Sequence, residues 1–465
     1  MQSNKEWLDY DVEQMVAGDR KYLWHHLKPH NCFDTHEQMI IVEGDGLVVR
    51  DIRGREYLDA SSGGVWSVIT GYGQDSIADA VADQLKKMPY FAGIYGNVPA
   101  IRFSEKLVEL MPFMDKVFFS NSGSEANEKA FKIIRQASAI DVEHKGRYKI
   151  LYRDRDYHGT TLAALSATGQ EERKQDFGPL VPGFVSFPHA LCYRCAFGKT
   201  YPDCAIECAT VVEKVIEKEG PESIGGLIVE PITAGGGIIP PVKEYFPILQ
   251  DICNRYGIKM IMDEVVCGFG RTGKFWGFEH YNVEPDMVTL AKGLTSGYVP
   301  LSATVVKQEI FDIFKNNSGG EGSRMSCFRD ISTYGGCAGV FAGALENVRI
   351  IEEENLVENS RVMGACLLDR LKELADLPIV GDVRGKGLFC GIEFVEDKAT
   401  RVPVSEAVMA KIMGDLVAEG VLVGRTNTSI PGMNTIMNFA PALVITREQV
   451  DLIVNAVKKA IEKSC

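Results

Sequence analysis

The sequence predicts an α/β protein with a mostly parallel central sheet, followed by an α+β segment towards the carboxyl end. Three observations carry this. Short apolar runs rich in β-branched residues alternate with helical periodicity between about residues 115 and 310. Most of these runs are apolar at nearly every residue, not at alternate ones, which requires burial on both faces of the sheet. Beyond about residue 340 the pattern changes to long helical segments and then to further strand-like runs.

In chain order, strands are expected at 117–119, 149–152, 227–229, 258–262, 287–290 and 303–306, with helices such as 209–218 and 244–256 as crossovers. In such a sheet, function is expected at the carboxyl ends of the strands. The run Asn316-Asn317-Ser318-Gly319-Gly320-Glu321-Gly322-Ser323 is small and polar, and reads either as a flexible break or as an active-site lid. Helical segments at 344–354 and 360–374 precede strand-like runs near 379–396 and 421–445. The expected organisation is an N-terminal segment, 1–65, that joins a small domain; a large domain, 66–335; and a C-terminal small domain, 336–465. No internal repeat or low-complexity stretch interrupts it.

The 465 residues are 45% hydrophobic and 24% charged, ordinary for a globular chain with room for two or three domains of about 150 residues. A net charge of −13 disfavours a broad electrostatic grip on nucleic acid or an anionic membrane, though not a local pocket for a small anion. The start of the chain lacks an apolar signal core, and no run of about 18 apolar residues occurs, so a cytoplasmic location is expected. The twelve cysteines in so long and core-rich a chain read as free thiols of a reducing compartment rather than as a disulfide framework.

Chemistry concentrates at a few strand ends. Ser120-Asn121-Ser122-Gly123-Ser124-Glu125 follows a strand and opens a helix. Ser122 and Glu125 match a Ser-x-x-Glu capping box, while Gly123 and Ser124 put N–H groups and a hydroxyl at the helix's positive end. That suits a phosphate, or simply a well-capped helix. Asp263 closes one buried strand and Lys292 closes another. They form either a salt bridge or the pair that pyridoxal phosphate needs, a lysine for the Schiff base and a carboxylate that keeps the pyridine nitrogen protonated. Tyr157, past the strand ending at 152, could stack on a flat ring or merely pack.

Asn121-Ser122-Gly123-Ser124-Glu125-Ala126-Asn127, Tyr157-His158-Gly159, Glu230-Pro231, Asp263-Glu264-Val265, Gly268 to Gly273, Lys292-Gly293, Thr333-Tyr334-Gly335-Gly336 and Val383 to Leu388 stand in this order along nearly the whole chain. In order and spacing they resemble the class III, or omega, aminotransferases. The resemblance implies the type I fold of pyridoxal 5′-phosphate enzymes, with a large cofactor domain and a smaller α+β domain. It implies Lys292 as the catalytic, cofactor-bearing lysine, Asp263 as partner of the pyridine nitrogen, and Tyr157 and Val265 on the two faces of the ring. Gly123 and Ser124 would hold the phosphate with Thr333 from a second subunit, and Glu230 would stand near Asp263. The active site would then be complete only in a homodimer or higher assembly. One departure is Asp330-Ile331-Ser332, where family members often carry His-Gly shortly before the threonine.

Two other patterns compete. Gly268-Phe269-Gly270-Arg271-Thr272-Gly273 satisfies the dinucleotide pattern, but Lys274-Phe275-Trp276-Gly277-Phe278 does not read as the helix that would hold a pyrophosphate. Cys192, Cys195, Cys204 and Cys208, near His189, could make a zinc-binding interaction protein. The final Cys-x₃-Cys argues for free thiols, and no metal is assigned. The stretch Cys192 to Pro202 also resembles one in the branch of the family that acts on taurine and pyruvate. The expected reaction is therefore transfer of a terminal amine, with taurine the preferred donor, to pyruvate, giving sulfoacetaldehyde and L-alanine. β-Alanine or another amine is the alternative donor. Arg425 matches the family's mobile arginine and would bind a carboxylate or sulfonate, and Trp66, Tyr90 and Phe91 resemble its substrate-pocket wall.

Overall fold

The computed structural model describes residues 10–33, 36–141, 144–317 and 325–464. Most of the stretch read as a break or lid, 318–323, lies outside the described residues; Asn316 and Asn317 close the helix Gln308–Asn317.

The strands in chain order are β1 (Ile41–Asp45), β2 (Val48–Asp51), β3 (Glu56–Asp59), β4 (Lys116–Ser120), β5 (Lys149–Arg153), β6 (Phe184–Phe187), β7 (Ile224–Val229), β8 (Lys259–Asp263), β9 (Met287–Leu290), β10 (Ser302–Val306), β11 (Val380–Gly385), β12 (Cys390–Phe394), β13 (Val421–Leu422), β14 (Gly424–Arg425) and β15 (Ile436–Phe439). Seven of them form the central sheet in the order β4-β10-β9-β8-β7-β5-β6. β5 to β9 pair in parallel, joined by crossover helices such as Glu207–Glu219 and Tyr245–Tyr256. β7, β9 and β10 are buried at every residue. Removing side chains such as Leu227, Ile228 and Val229 from water is worth about 1.5–3 kcal/mol each, which is why these runs carry no polar alternation.

Two strands depart from the sequence reading. The run at 303–306, read as part of the parallel series, is antiparallel to both of its neighbours. The connection 291–301 carries the Lys292 turn and no crossover helix, and a parallel return needs such a crossover. β6, an edge strand parallel to β5, is not among the strands the sequence predicts; Phe-Val-Ser-Phe is short and only its last residue is buried.

The helix Gly123–Ile140 lies on the sheet with Ala126, Ala130, Ile133, Ile134 and Ala137 buried against it. Past the large sheet come the helices Ala338–Glu353 and Leu356–Lys372 and the antiparallel sheet β11-β12-β15-β14. A further sheet, β1-β2-β3-β13, is closed by the parallel pairing of β13 with β3, so both ends of the chain share it. No helix among the described residues is long and apolar enough to cross a membrane.

Candidate active site

The carboxyl ends of β4, β5, β7, β8 and β9 converge on one cavity of about 480 Å³, with Ser124, Tyr157, Glu230, Asp263 and Lys292 on its wall. The parallel strands dictate this. Each delivers its following residue to the same edge, and residues far apart in the chain meet there.

Asp263, the last residue of β8, is buried. Its Oδ2 accepts from His158 Nδ1 at 2.7 Å and from Asn127 Nδ2 at 2.8 Å, and its Oδ1 accepts from the Val265 N–H at 3.1 Å. Lys292 stands two residues beyond β9 at φ 46°, a backbone conformation that costs a non-glycine residue about 1–3 kcal/mol and clusters at functional sites. Its side chain faces the cavity with protein around it, and this desolvation lowers its pKa from 10.5 even though Asp263 and Glu230 favour the charged form. Its Nζ lies 5.8 Å from the centre of the Trp66 ring. Asp263 and Lys292 do not form an ion pair; His158 is the basic group within pairing distance of Asp263 among the described residues. The two groups face one cavity and leave the space between them to a ligand, so the salt-bridge reading fails.

Glu230 follows β7. Its two carboxylate oxygens accept from the Tyr157 and Ala234 N–H groups at 2.9 and 3.0 Å. Burial, with Asp156 and Asp263 nearby, pushes its pKa well above the usual carboxyl value. Beneath it the buried pair Arg153–Asp156 grips the Glu230 main chain: Arg153 Nη2 donates to its carbonyl at 2.6 Å, and Asp156 Oδ2 accepts from its N–H at 3.0 Å.

At the start of the helix Gly123–Ile140, Ser122 Oγ accepts from the Glu125 N–H at 3.2 Å. Only this half of the expected capping box forms. The Glu125 carboxylate reaches instead to the Asn121 N–H and Nδ2, at 2.9 and 3.1 Å, because the turn out of β4 presents Asn121 to it. A Cβ on Gly123 would sit 3.0 and 3.1 Å from the two methyl carbons of Val265, and one on Gly159, at φ 143°, would sit 2.4 Å from Ser124 Oγ. Ser124 Oγ in turn accepts from the Thr160 N–H at 3.0 Å. The helix start, Val265 and the Tyr157-His158-Gly159 turn are therefore packed to contact. Gly159→Ala is expected to destabilise the fold by about 2 kcal/mol or more and to weaken cofactor retention. Thermal melts and cofactor titration of the purified variant check this.

The structure separates the remaining residues singled out in the sequence. Trp66 lines the cavity, with Nε1 donating to Asn438 Oδ1 at 3.0 Å. Tyr90, Phe91 and Thr333 do not line it; they share an exposed surface where Tyr90 bridges to Cys337 and its ring meets that of Tyr334 at 6.3 Å. Arg425 also stands off the wall, held by a bidentate pair with Glu406 and donating from Nε to the Asn434 carbonyl at 2.9 Å. In place of the family's His-Gly, Asp330 anchors its loop through Lys129 and Lys132. The Gly268–Gly273 turn leads into no helix until a short 3-10 turn at Gly277–His280. Its Arg271 is fully buried and ties the turn to Ser62 Oγ and to the Leu388 carbonyl at 3.0 and 3.2 Å, a structural clamp. Cys192, Cys195, Cys204 and Cys208 are free thiols, and no three potential ligands among the described residues are placed to hold a metal.

His158 and Asn127, which hold the Asp263 carboxylate, have no role that the sequence alone reveals. Both stood inside the quoted motifs; what was missing was the helix turn that puts Asn127, one turn below Gly123, beside the end of β8.

A mostly parallel sheet with a lysine and a carboxylate that face one cavity without pairing to each other, and a helix start with its glycine close-packed at the rim, defines a pyridoxal-phosphate enzyme of the type I fold. Residues 32–461 match the class-III aminotransferases, and the chain belongs to that family. Its members depend on pyridoxal 5′-phosphate, and the chain is an aminotransferase. It is 51% identical over 458 residues to the taurine–pyruvate aminotransferase of Bilophila wadsworthia, covering 97% of this chain and 98% of that one. It is 47% identical over 457 residues to the hypotaurine/taurine–pyruvate aminotransferase of Paracoccus denitrificans, with the same coverage. Among solved structures, an aminotransferase of Bacillus anthracis superposes with a TM-score of 0.92 at 41% identity, over 97% of this chain and 98% of that one.

Proposed function

We propose that the chain transfers the amino group of taurine to pyruvate, giving sulfoacetaldehyde and L-alanine. The observation that carries the reading is Lys292 and Asp263 facing one cavity without pairing. The same wall carries Gly123 and Ser124 at a helix start, Tyr157 and Val265, a set that suits a flat, phosphate-bearing, cationic ring. Pyridoxal phosphate, once bound, supplies a ring that withdraws electrons from the amine-bearing carbon. The chain does the rest. Asp263, held by His158 and Asn127, would keep a proton on the ring nitrogen. The Gly123 N–H and Ser124 Oγ, at the positive end of the helix, would hold the phosphate. Tyr157 and Val265 would cover the two faces of the ring. Lys292, where desolvation favours the neutral amine, would take the proton from the amine-bearing carbon at Nζ and pass it on to the cofactor instead of returning it.

The pairing of β13 with β3 supports a smaller domain built from 1–65 with 336–465, beside a large one, 66–335. Thr333, Tyr90 and Phe91 serve the cavity of a second copy. They stand on one exposed face with Ile94, Tyr95 and Tyr334, and a contiguous apolar face of that kind marks an interface. A strictly monomeric holoenzyme in light scattering would overturn the dimer.

Purified holoenzyme incubated with taurine and pyruvate is expected to form alanine and sulfoacetaldehyde in equal amounts; alanine formed from β-alanine but not from taurine would replace the donor. Arg425 is assigned the carboxylate of pyruvate once it parts from Glu406. Arg425→Ala is expected to raise the KM for pyruvate about 10-fold or more, the loss of one charge-assisted contact, while the cofactor's absorbance stays intact. Steady-state kinetics over pyruvate concentration check this.

A further inference from the structure

The cavity receives an acid-bearing amine and a keto acid in turn, yet Lys292 is the only lysine or arginine on its described wall, and Lys292 is committed to the reacting carbon. A second guanidinium besides Arg425 stands one ring away. Arg173, on the short helix Glu171–Lys174, lies with its guanidinium carbon 5.4 Å from the centre of the Tyr157 ring. Its Nη2 donates to the Asn427 carbonyl at 3.0 Å, while its Nε is buried and unpartnered. Among the described residues no carboxylate stands within pairing distance of it; neighbouring Glu172 favours its charge only from a distance and accepts from Asn434 Nδ2 at 2.8 Å. Burial lowers its pKa. A desolvated cation without a counter-ion is unfavourable until an anion reaches it.

The stretch 427–434 places it. Arg173 holds one end at Asn427, Arg425 Nε holds the other at Asn434, and Ser429 Oγ donates to the carbonyl of Gly235, a wall residue of the cavity, at 3.2 Å. The two guanidiniums thus flank a single rim.

We propose that Arg173 is a specificity-determining residue that receives the acid group, sulfonate or carboxylate, at the far end of the amine donor. The proposal rests on reading the site as one for acid-tailed amines. The guanidinium swings from the Tyr157 ring to meet that group, and its free Nε–H supplies a second donor for bidentate contact.

The test uses holoenzyme with Arg173→Gln and Arg173→Lys, comparing taurine and β-alanine, each with pyruvate, against the alanine half-reaction followed by loss of the cofactor's visible absorbance. Alanine carries its carboxylate beside the amine and no tail. Arg173→Gln is expected to lower kcat/KM for both acid-tailed donors about 10- to 100-fold, through KM, and to leave the alanine half-reaction within about 2-fold. Arg173→Lys restores part of the loss. Weakened cofactor binding or folding would depress all three reactions alike, and an equal loss with alanine therefore overturns the proposal, as does an unchanged kcat/KM for both tailed donors. Wild-type turnover of β-alanine without taurine would sink the taurine reading alone, and the β-alanine series then decides Arg173. Wild-type turnover of neither tailed donor would sink both.

Discussion

Lys292→Ala enzyme is expected to lose the visible absorbance of the cofactor-bound protein and to fall in turnover by at least about 10³-fold, the loss of a positioned proton carrier together with the covalent anchor. The measurement is an absorbance spectrum of enzyme reconstituted with pyridoxal phosphate, beside alanine formation from taurine and pyruvate. An unchanged spectrum would refute the assignment. A second readout separates this from misfolding. Desolvation holds the pKa of Lys292 in the folded cofactor-free chain below 10.5. Between that lowered value and 10.5 the unfolded chain binds more protons than the folded one, so stability rises with pH through this window and is lost as pH falls. Below that window the buried ammonium is therefore a cost. Lys292→Met, which keeps the bulk and removes the charge, is expected to melt no lower than wild type as cofactor-free protein, and to flatten that slope. The same lowered pKa places the acid limb of cofactor capture below the range of an ordinary lysine.

Asp263→Asn is expected to slow the taurine half-reaction by between about 10² and 10⁴-fold. The amide keeps an acceptor for the Val265 N–H and fits the same space, but it cannot hold a proton on the ring nitrogen. It also turns a carboxylate that accepts from both His158 and Asn127 into a group with one acceptor atom. Removing one member of a buried, hydrogen-bonded charge set costs about 3–5 kcal/mol, and each 1.36 kcal/mol is a factor of ten in rate. Rapid-mixing absorbance on the half-reaction, with cofactor content measured in parallel, checks this. A loss smaller than about 10-fold at full cofactor occupancy would remove Asp263 from its role.

The two variants probe groups that differ in how visible they were before folding. Lys292 and Asp263 stood at the ends of near-continuous apolar runs, and a charged residue that closes a buried strand is conspicuous in any reading. The helix start at Ser122 was visible for a similar local reason, since capping chemistry is confined to a few adjacent residues, although Glu125 chose Asn121 over Ser122 once the turn out of β4 had formed. The choice between a salt bridge and a cofactor pair was not visible, because it depends on a few ångströms between strands that share no local sequence.

Local pattern along the chain therefore determined the α/β class, four of the parallel strand positions and the candidate lysine, aspartate and phosphate-binding turn. These depend on burial and hydrogen bonding between near neighbours, which periodicity records. The antiparallel turn of β10, the joining of the two chain ends through β3 and β13, the grip of His158 and Asn127 on Asp263, the distance of Arg425 from the cavity and the unpaired Arg173 at its rim were decided only by the tertiary structure. Each is a contact between segments remote in sequence, set by how side chains of particular size and charge pack in three dimensions, and a linear pattern holds no record of that.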